Sequence, residues 1–223
     1  VIKDGDGVLT LDAVNTYTGD TVVEKGTLNV GTDNAIADSS NLVVEMDGTF
    51  GLQGKSDTVG TLSGAGNLTL GSGGDLTVNT AGSGYFSGII SGTGGSLTKD
   101  GTGELALRGP NTYSGGTILN QGILTAYHDN AFGTGLLTVN GGTLKVDDDR
   151  RFENNIRLNS NLDMNLVGSD YDVIFDGDVD LGGAARAIAV NRTDTQWVYL
   201  GGPISDSIGN GGVTLRGDGV DDV

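Results

Sequence analysis

The sequence predicts an all-β chain wound as a parallel β-solenoid, and three observations carry that expectation. Apolar runs such as Leu105-Ala106-Leu107, Ile118-Leu119 and Ile123-Leu124 have the length of short strands and are too short for helices. Glycine separates them: the 223 residues hold 41 glycines in a chain still 36% apolar, which marks turns between many strands rather than disorder. A module also recurs. Val1 to Leu28 aligns with the stretch from Leu97 to Thr125, matching Lys3-Asp4-Gly5 to Lys99-Asp100-Gly101, Leu9 and Leu11 to Leu105 and Leu107, and Asn15-Thr16-Tyr17 to Asn111-Thr112-Tyr113. The match resumes at Asp33-Asn34-Ala35 against Asp129-Asn130-Ala131. Short strands that repeat need neighbours to bury them, and stacked coils supply those neighbours. An antiparallel sandwich or barrel also uses short strands and glycine turns, but it gives no reason for the long-range repeat.

Taken in order, Val8 to Leu11, Thr21 to Val23 and Gly26 to Val30 read as strands, followed by a polar loop with Asp33 and Asn34 at a turn. Asn41 to Glu45 and Gly48 to Leu52 come next, split at the turn dipeptide Asp47-Gly48. Val59 to Leu62, Asn67 to Leu70 and Asp75 to Val78 are strands spaced by about eight residues. Phe86 to Ile90 leads into the second module. Leu136 to Val139 and Gly142 to Val146 match the strands at Val43 and Phe50, and Asp147 to Arg151 is a charged loop. Beyond Phe152 glycine thins. Ile156 to Leu158 and Leu162 to Leu166 alternate, and Tyr171, Val173, Phe175, Val179 and Leu181 share one face opposite Asp172, Asp176, Asp178 and Asp180. Ile188 to Val190 and Trp197 to Leu200 continue, and Gly211 onwards restarts the module. No stretch reads as a helix.

One β-helix over 1–223 is therefore expected, with repeat copies about 1–52 and 95–146, divergent coils between and after, and a third repeat start at 211–223. At about 20 to 25 residues per coil, on the order of ten coils would make a rod roughly 50 Å long. Leu9, Leu11, Leu28, Val30, Leu105, Leu107, Leu119, Leu124, Leu144 and Val146 should point inward. Tyr17 and Tyr113 should pack at coil corners, and Asn15 and Asn111 should take turn conformations that tolerate positive φ.

The formal net charge of −17 repels nucleic-acid phosphates and anionic membranes, which argues against nucleic-acid partners. No cysteine is present, so stability must come from a continuous core and backbone ladders. No apolar run approaches the roughly 20 residues of a membrane span. Val1 begins in mid-repeat without a basic start or apolar stretch, so the chain reads as part of something longer.

The spaced glycines and leucines running from Gly95, Leu97, Lys99, Gly101 and Gly103 to Leu105, Leu107 and Gly109, then Asn111-Thr112-Tyr113-Ser114-Gly115-Gly116-Thr117 and Gly122-x-Leu124, resemble the passenger-associated β-strand repeat of autotransporters. The first copy shows the same pattern with Ala13 and Asp20 replacing two glycines. The resemblance implies a right-handed parallel β-helix exported through a C-terminal outer-membrane barrel of the same protein and exposed on, or secreted from, a Gram-negative cell. It implies a structural or adhesive segment of a surface adhesin, with self-association, a host receptor, matrix or a glycan as candidate partners. A pure spacer for a missing functional domain is the other structural reading.

Chemistry is sparse. His128 is the only histidine and Asp129 adjoins it, but Thr32 stands at its repeat counterpart, so the turn is the shared feature; no GxSxG-like nucleophile context appears. Asp176-Gly177-Asp178-Val179-Asp180 invites calcium, yet Leu181 and Ala187 stand where an EF-hand loop needs glycine and glutamate. No catalytic residue, cofactor or dedicated metal site is expected, only weak surface calcium on stacked carboxylates. A polysaccharide lyase or hydrolase would need Asp163, Asp170, Asp172, Arg186 and Arg192 to converge. Arg216-Gly217-Asp218 spells an adhesion tripeptide where the repeat places Lys99-Asp100-Gly101; it is the one candidate binding site, and composition alone can produce it. Asn67-Leu68-Thr69 and Asn191-Arg192-Thr193 are formal sequons that a bacterial origin leaves unused.

Overall fold

A computed structural model of the chain describes residues 1–168, 171–191, 196–206 and 211–217. Among them the only repetitive structure is β, and every strand pairing is parallel, in sheets of 14, 8 and 3 strands. Sequential strands never pair with their immediate successors by a hairpin. Leu105 instead pairs with Leu124, Leu124 with Leu144 and Leu144 with Met164, so a coil closes every 19 or 20 residues; Met164 then pairs with Val190 across a longer, 26-residue coil. The longest ladder stacks 11 strands. At about 4.8 Å per step it makes a rod roughly 50 Å long. The chain is a β-solenoid.

Strand alternation fills its interior. In the largest sheet the inward row runs Val23, Val44, Gly64, Phe86, Leu107, Ala126, Val146 and Leu166. In the second sheet it runs Val59, Val78, Lys99, Leu119, Val139 and Leu158. Bulk is matched to space: Gly64 sits between Val44 and Phe86 because a Cβ there would lie 2.0 Å from the Val44 carbonyl oxygen. Phe132, Phe152 and Phe175 stack along the third inner corner with ring centroids 4.9 and 5.1 Å apart. Tyr171, Val173, Phe175, Val179 and Leu181 are all buried, and the aspartates between them face outward.

Three expectations need correction. Leu9 is 39% exposed, because Val8–Leu11 is an edge strand paired, among the described residues, only to Thr21–Val30; its neighbour Leu11 is only partly buried. The other eight inward positions are fully buried. Two breaks placed at glycines are absent. Thr21–Val30 and Leu42–Gly51 each continue through the corner as one strand, with the register shifting between Val23 and Lys25 and recovering at Lys25–Asp47 and Gly26–Gly48. A bulge bends the ladder there without ending it. Asn15 and Asn111 are not in the left-handed region, which among the described non-glycine residues holds Asn34, Gln53 and Asp148. Their contribution is through the side-chain amide.

Candidate functional site

The repeated module is built around two devices. The first is an inward-facing lysine. Lys99 occupies a row of valines and leucines and is fully buried, its stem packed inward and its ammonium donating to the carbonyls of Asp100 (2.7 Å), Gly101 (2.7 Å) and Gln121 (3.3 Å). Lys3 repeats the cage, donating to Asp4 (3.3 Å), Gly5 (2.6 Å) and Lys25 (2.9 Å). Each ammonium thus joins its own corner to the corner of the next coil. Gly122 and Gly26 (both φ +73°) leave room for it, since a Cβ at either would lie 2.8 Å from Nζ. Burial pulls Lys99 down to about 8, so it is still charged at neutral pH.

The second device is the Asn-Thr-Tyr corner. Asn111 accepts from the Ile90 N–H (2.8 Å) and donates to the Ala131 carbonyl (2.7 Å), spanning three coils. Asn15 donates to Ala35 (2.8 Å), which is why Asp-Asn-Ala recurs with it. Tyr113 is buried, with its hydroxyl 2.5 Å from Thr117 Oγ1, and Thr117 donates to the Phe132 carbonyl. Tyr17 and Thr21 repeat the pair at 2.6 Å. Burial pushes the Tyr113 phenol upward.

The two copies do not occupy the same faces. Ile2–Lys3 lies on the ladder that leads through successive coils to Glu104–Leu107, whereas its sequence counterpart Ser96–Asp100 lies in the second sheet. The module is therefore rotated by one face of the coil between copies. Its bonds are all internal or to adjacent coils, so it can be placed on any side of the rod.

The outer surface carries polar ladders. Asn140 donates to Asn120 and Asn159 to Asn140, both at 2.8 Å. Threonines at 58, 77 and 98 and again at 138 align on the outside of the second sheet, interrupted by Ile118. A different cluster lies on the largest sheet, where the Arg108 guanidinium sits 4.1 Å from the Tyr127 ring centre and 5.9 Å from that of Tyr85.

A scan against family models matches the passenger-associated-transport-repeat at residues 1–30 and 97–126. Those two stretches are passenger-associated repeats. Both lysine cages, both Asn-Thr-Tyr corners and Gly26 and Gly122 fall within the matched residues. A further comparison finds 38% identity over 151 residues to the adhesin BmaC autotransporter of Brucella suis biovar 1 (strain 1330), covering 64% of this chain and 4% of that protein. The chain thus spans about 4% of the length of this relative. No solved structure matches significantly.

Within this chain the candidate chemistry is dispersed. His128 accepts the Asn130 N–H at Nδ1 (3.0 Å), while the Asp129 carboxylate instead accepts from the Arg151 N–H (3.2 Å). Asp163 and Arg186 lie on neighbouring strands of the largest sheet and Asp172 on the third sheet; Arg186 is spent on the Leu158 and Leu181 carbonyls. Asp170 and Arg192 lie outside the described residues. Asp176 pairs with Arg151 at 2.5 Å and Asp180 with Arg157 at 3.9 Å, so two carboxylates of the acidic run already face cations of the preceding coil. Among the described residues no three His, Asp or Glu side chains gather for a metal. Arg216 and Gly217 are exposed on the last strand of the largest sheet, and Asp218 lies outside the described residues. The caged lysines went unrecognised in the sequence, although Lys-Asp-Gly recurring at the end of an apolar alternation was their signal. The Tyr85, Arg108 and Tyr127 cluster left no signal there, because its members come from three coils.

Proposed function

We propose that the chain is an adhesive, non-catalytic segment of an autotransporter passenger, held outside the outer membrane by a C-terminal barrel of the same protein and presenting its polar side walls to glycan, matrix or a second rod. The similarity to an adhesin autotransporter carries this reading. The structure fits it: interior positions are given to packing and caged ammonium groups, and the polar side chains form ladders on the outside. Self-association should be weak and salt-dependent, because rods of charge −17 repel over a Debye length of roughly 10 Å at about 0.1 M salt. Sedimentation across a salt series, together with binding of the rod to immobilised matrix proteins and glycans, tests the reading. Binding, or association that strengthens with salt, supports it. Monomers throughout with no binding would leave only a spacer, and turnover of polygalacturonate or chitin abolished by Asp172→Ala would restore an enzyme.

A further inference from the structure

Most described cations of this acidic chain are engaged. Lys3 and Lys99 are caged by carbonyls, Arg186 is held by two more, and Lys25, Lys145, Arg151 and Arg157 face carboxylates. Arg108 is not. It is exposed, has no carboxylate or carbonyl partner, and is fixed by stacking on Tyr127 with Tyr85 on its other side. Lys55 and Arg216 also lack such partners, but no ring holds either of them. Tyr85 is 49% exposed.

The fold does not require the cluster. In the first copy of the repeat Asp12 stands where Arg108 stands and Gly31 where Tyr127 stands, and the surrounding strands form all the same. Glu104, four residues earlier in the chain, is already held by Thr125 (2.6 Å) and Lys145 (3.4 Å). What is left is a guanidinium whose orientation is set in advance and whose hydrogen-bond donors are unused. Such a group recognises a planar anion by paired N–H bonds, at little ordering cost.

We propose that Tyr85, Arg108 and Tyr127 form a binding site for a glycan terminating in a single acidic sugar, the guanidinium taking its carboxylate or sulfate and the tyrosine rings the C–H face of the pyranose. The site rests on the adhesive reading and gives it a ligand. One anion, rather than a polyanion, fits because a single free cation faces it while the net charge of −17 repels extended negative polymers. A ring-borne anion, rather than an acidic peptide, fits because the cation lies between two aromatic rings that offer an apolar surface beside the charge.

Saturation-transfer NMR and titration on the intact chain would use sialyllactose as the carboxylate probe, 3-sulfogalactose as the sulfate probe, and lactose, heparin and a tri-glutamate peptide as comparisons. At least one monoanionic sugar should bind and lactose should not. Arg108→Ala should weaken binding about tenfold or more, as expected for a lost charge-assisted pair. Tyr85→Ala should weaken it too, whereas Lys55→Ala should leave it unchanged. Thermal melts of each variant check that the rod is intact. No sugar binding, equal loss with Lys55→Ala, or tighter binding of heparin or tri-glutamate would overturn the site. Adhesion to matrix measured in parallel separates the two readings: adhesion by a rod that binds neither acidic sugar removes this site and keeps the adhesin, and a rod that neither binds sugar nor adheres removes both.

Discussion

A buried lysine and a buried aspartate set the residue scale. Lys99→Met keeps the stem and removes the donor from three carbonyls, so it should cost about 2–4 kcal/mol in a denaturant titration. A loss below about 0.5 kcal/mol would mean that water replaces the ammonium at the corner. Asp57 is 3% exposed at an inward position of the second sheet, opposite Leu76, and accepts from the Ile36 (3.1 Å) and Thr58 (2.9 Å) N–H groups. Burial raises it to about 6 against those bonds, with Asp38 adding to the rise. Its folded pKa lies above its unfolded value, so the native state takes up the extra proton and gains stability as pH falls from 7 through 6 towards 4. The gain should approach about 2–3 kcal/mol at most. Asp57→Asn should flatten that slope, read as the difference between wild-type and variant melting curves at pH 7 and pH 5; parallel curves would contradict the assignment.

At the scale of the element, the corners carry more than the strands reveal. Asn111 is buried and its amide bridges coils on both sides, whereas Asn15 is half-exposed in the first copy. Asn111→Ala should therefore cost about 2–3 kcal/mol and Asn15→Ala about 1 kcal/mol or less. Equal costs would show that the bridge adds nothing beyond the turn. Gly122→Ala places a Cβ 2.4 Å from two carbonyl oxygens at φ +73°, so it should be far more disruptive than Gly73→Ala, which has similar φ and open space. Strand positions were largely legible from the sequence, because alternation over Leu162 to Leu166 or Tyr171 to Leu181 states which side chains are buried. The corners were not. Asp47-Gly48 looks like a chain reversal locally, and only the neighbouring coil, by pairing Lys25 with Asp47, makes it a bend in a continuous strand. Nor does alternation distinguish an exposed lysine from one whose charge is returned to backbone carbonyls.

For the whole molecule, the self-similarity of the two modules states that coils stack but not on which face each copy lies, since cages and corners form identically on any face. The rotation between copies follows from the number of residues in the intervening coils, which no local motif fixes. What remains to be measured is the stacking itself, and the absence of cysteine allows introduced cysteine pairs to be spin-labelled without background. Thr58, Thr138, Arg157 and Ser205 lie on one outward row of the second sheet, with Thr138 four coils, Arg157 five and Ser205 seven coils beyond Thr58. Dipolar distances from Thr58 should therefore lengthen in proportion to coil number, to about 19, 24 and 34 Å. Distances that fail to grow with coil number, as in a sandwich whose strands fold back on one another, would contradict the solenoid and everything built on it.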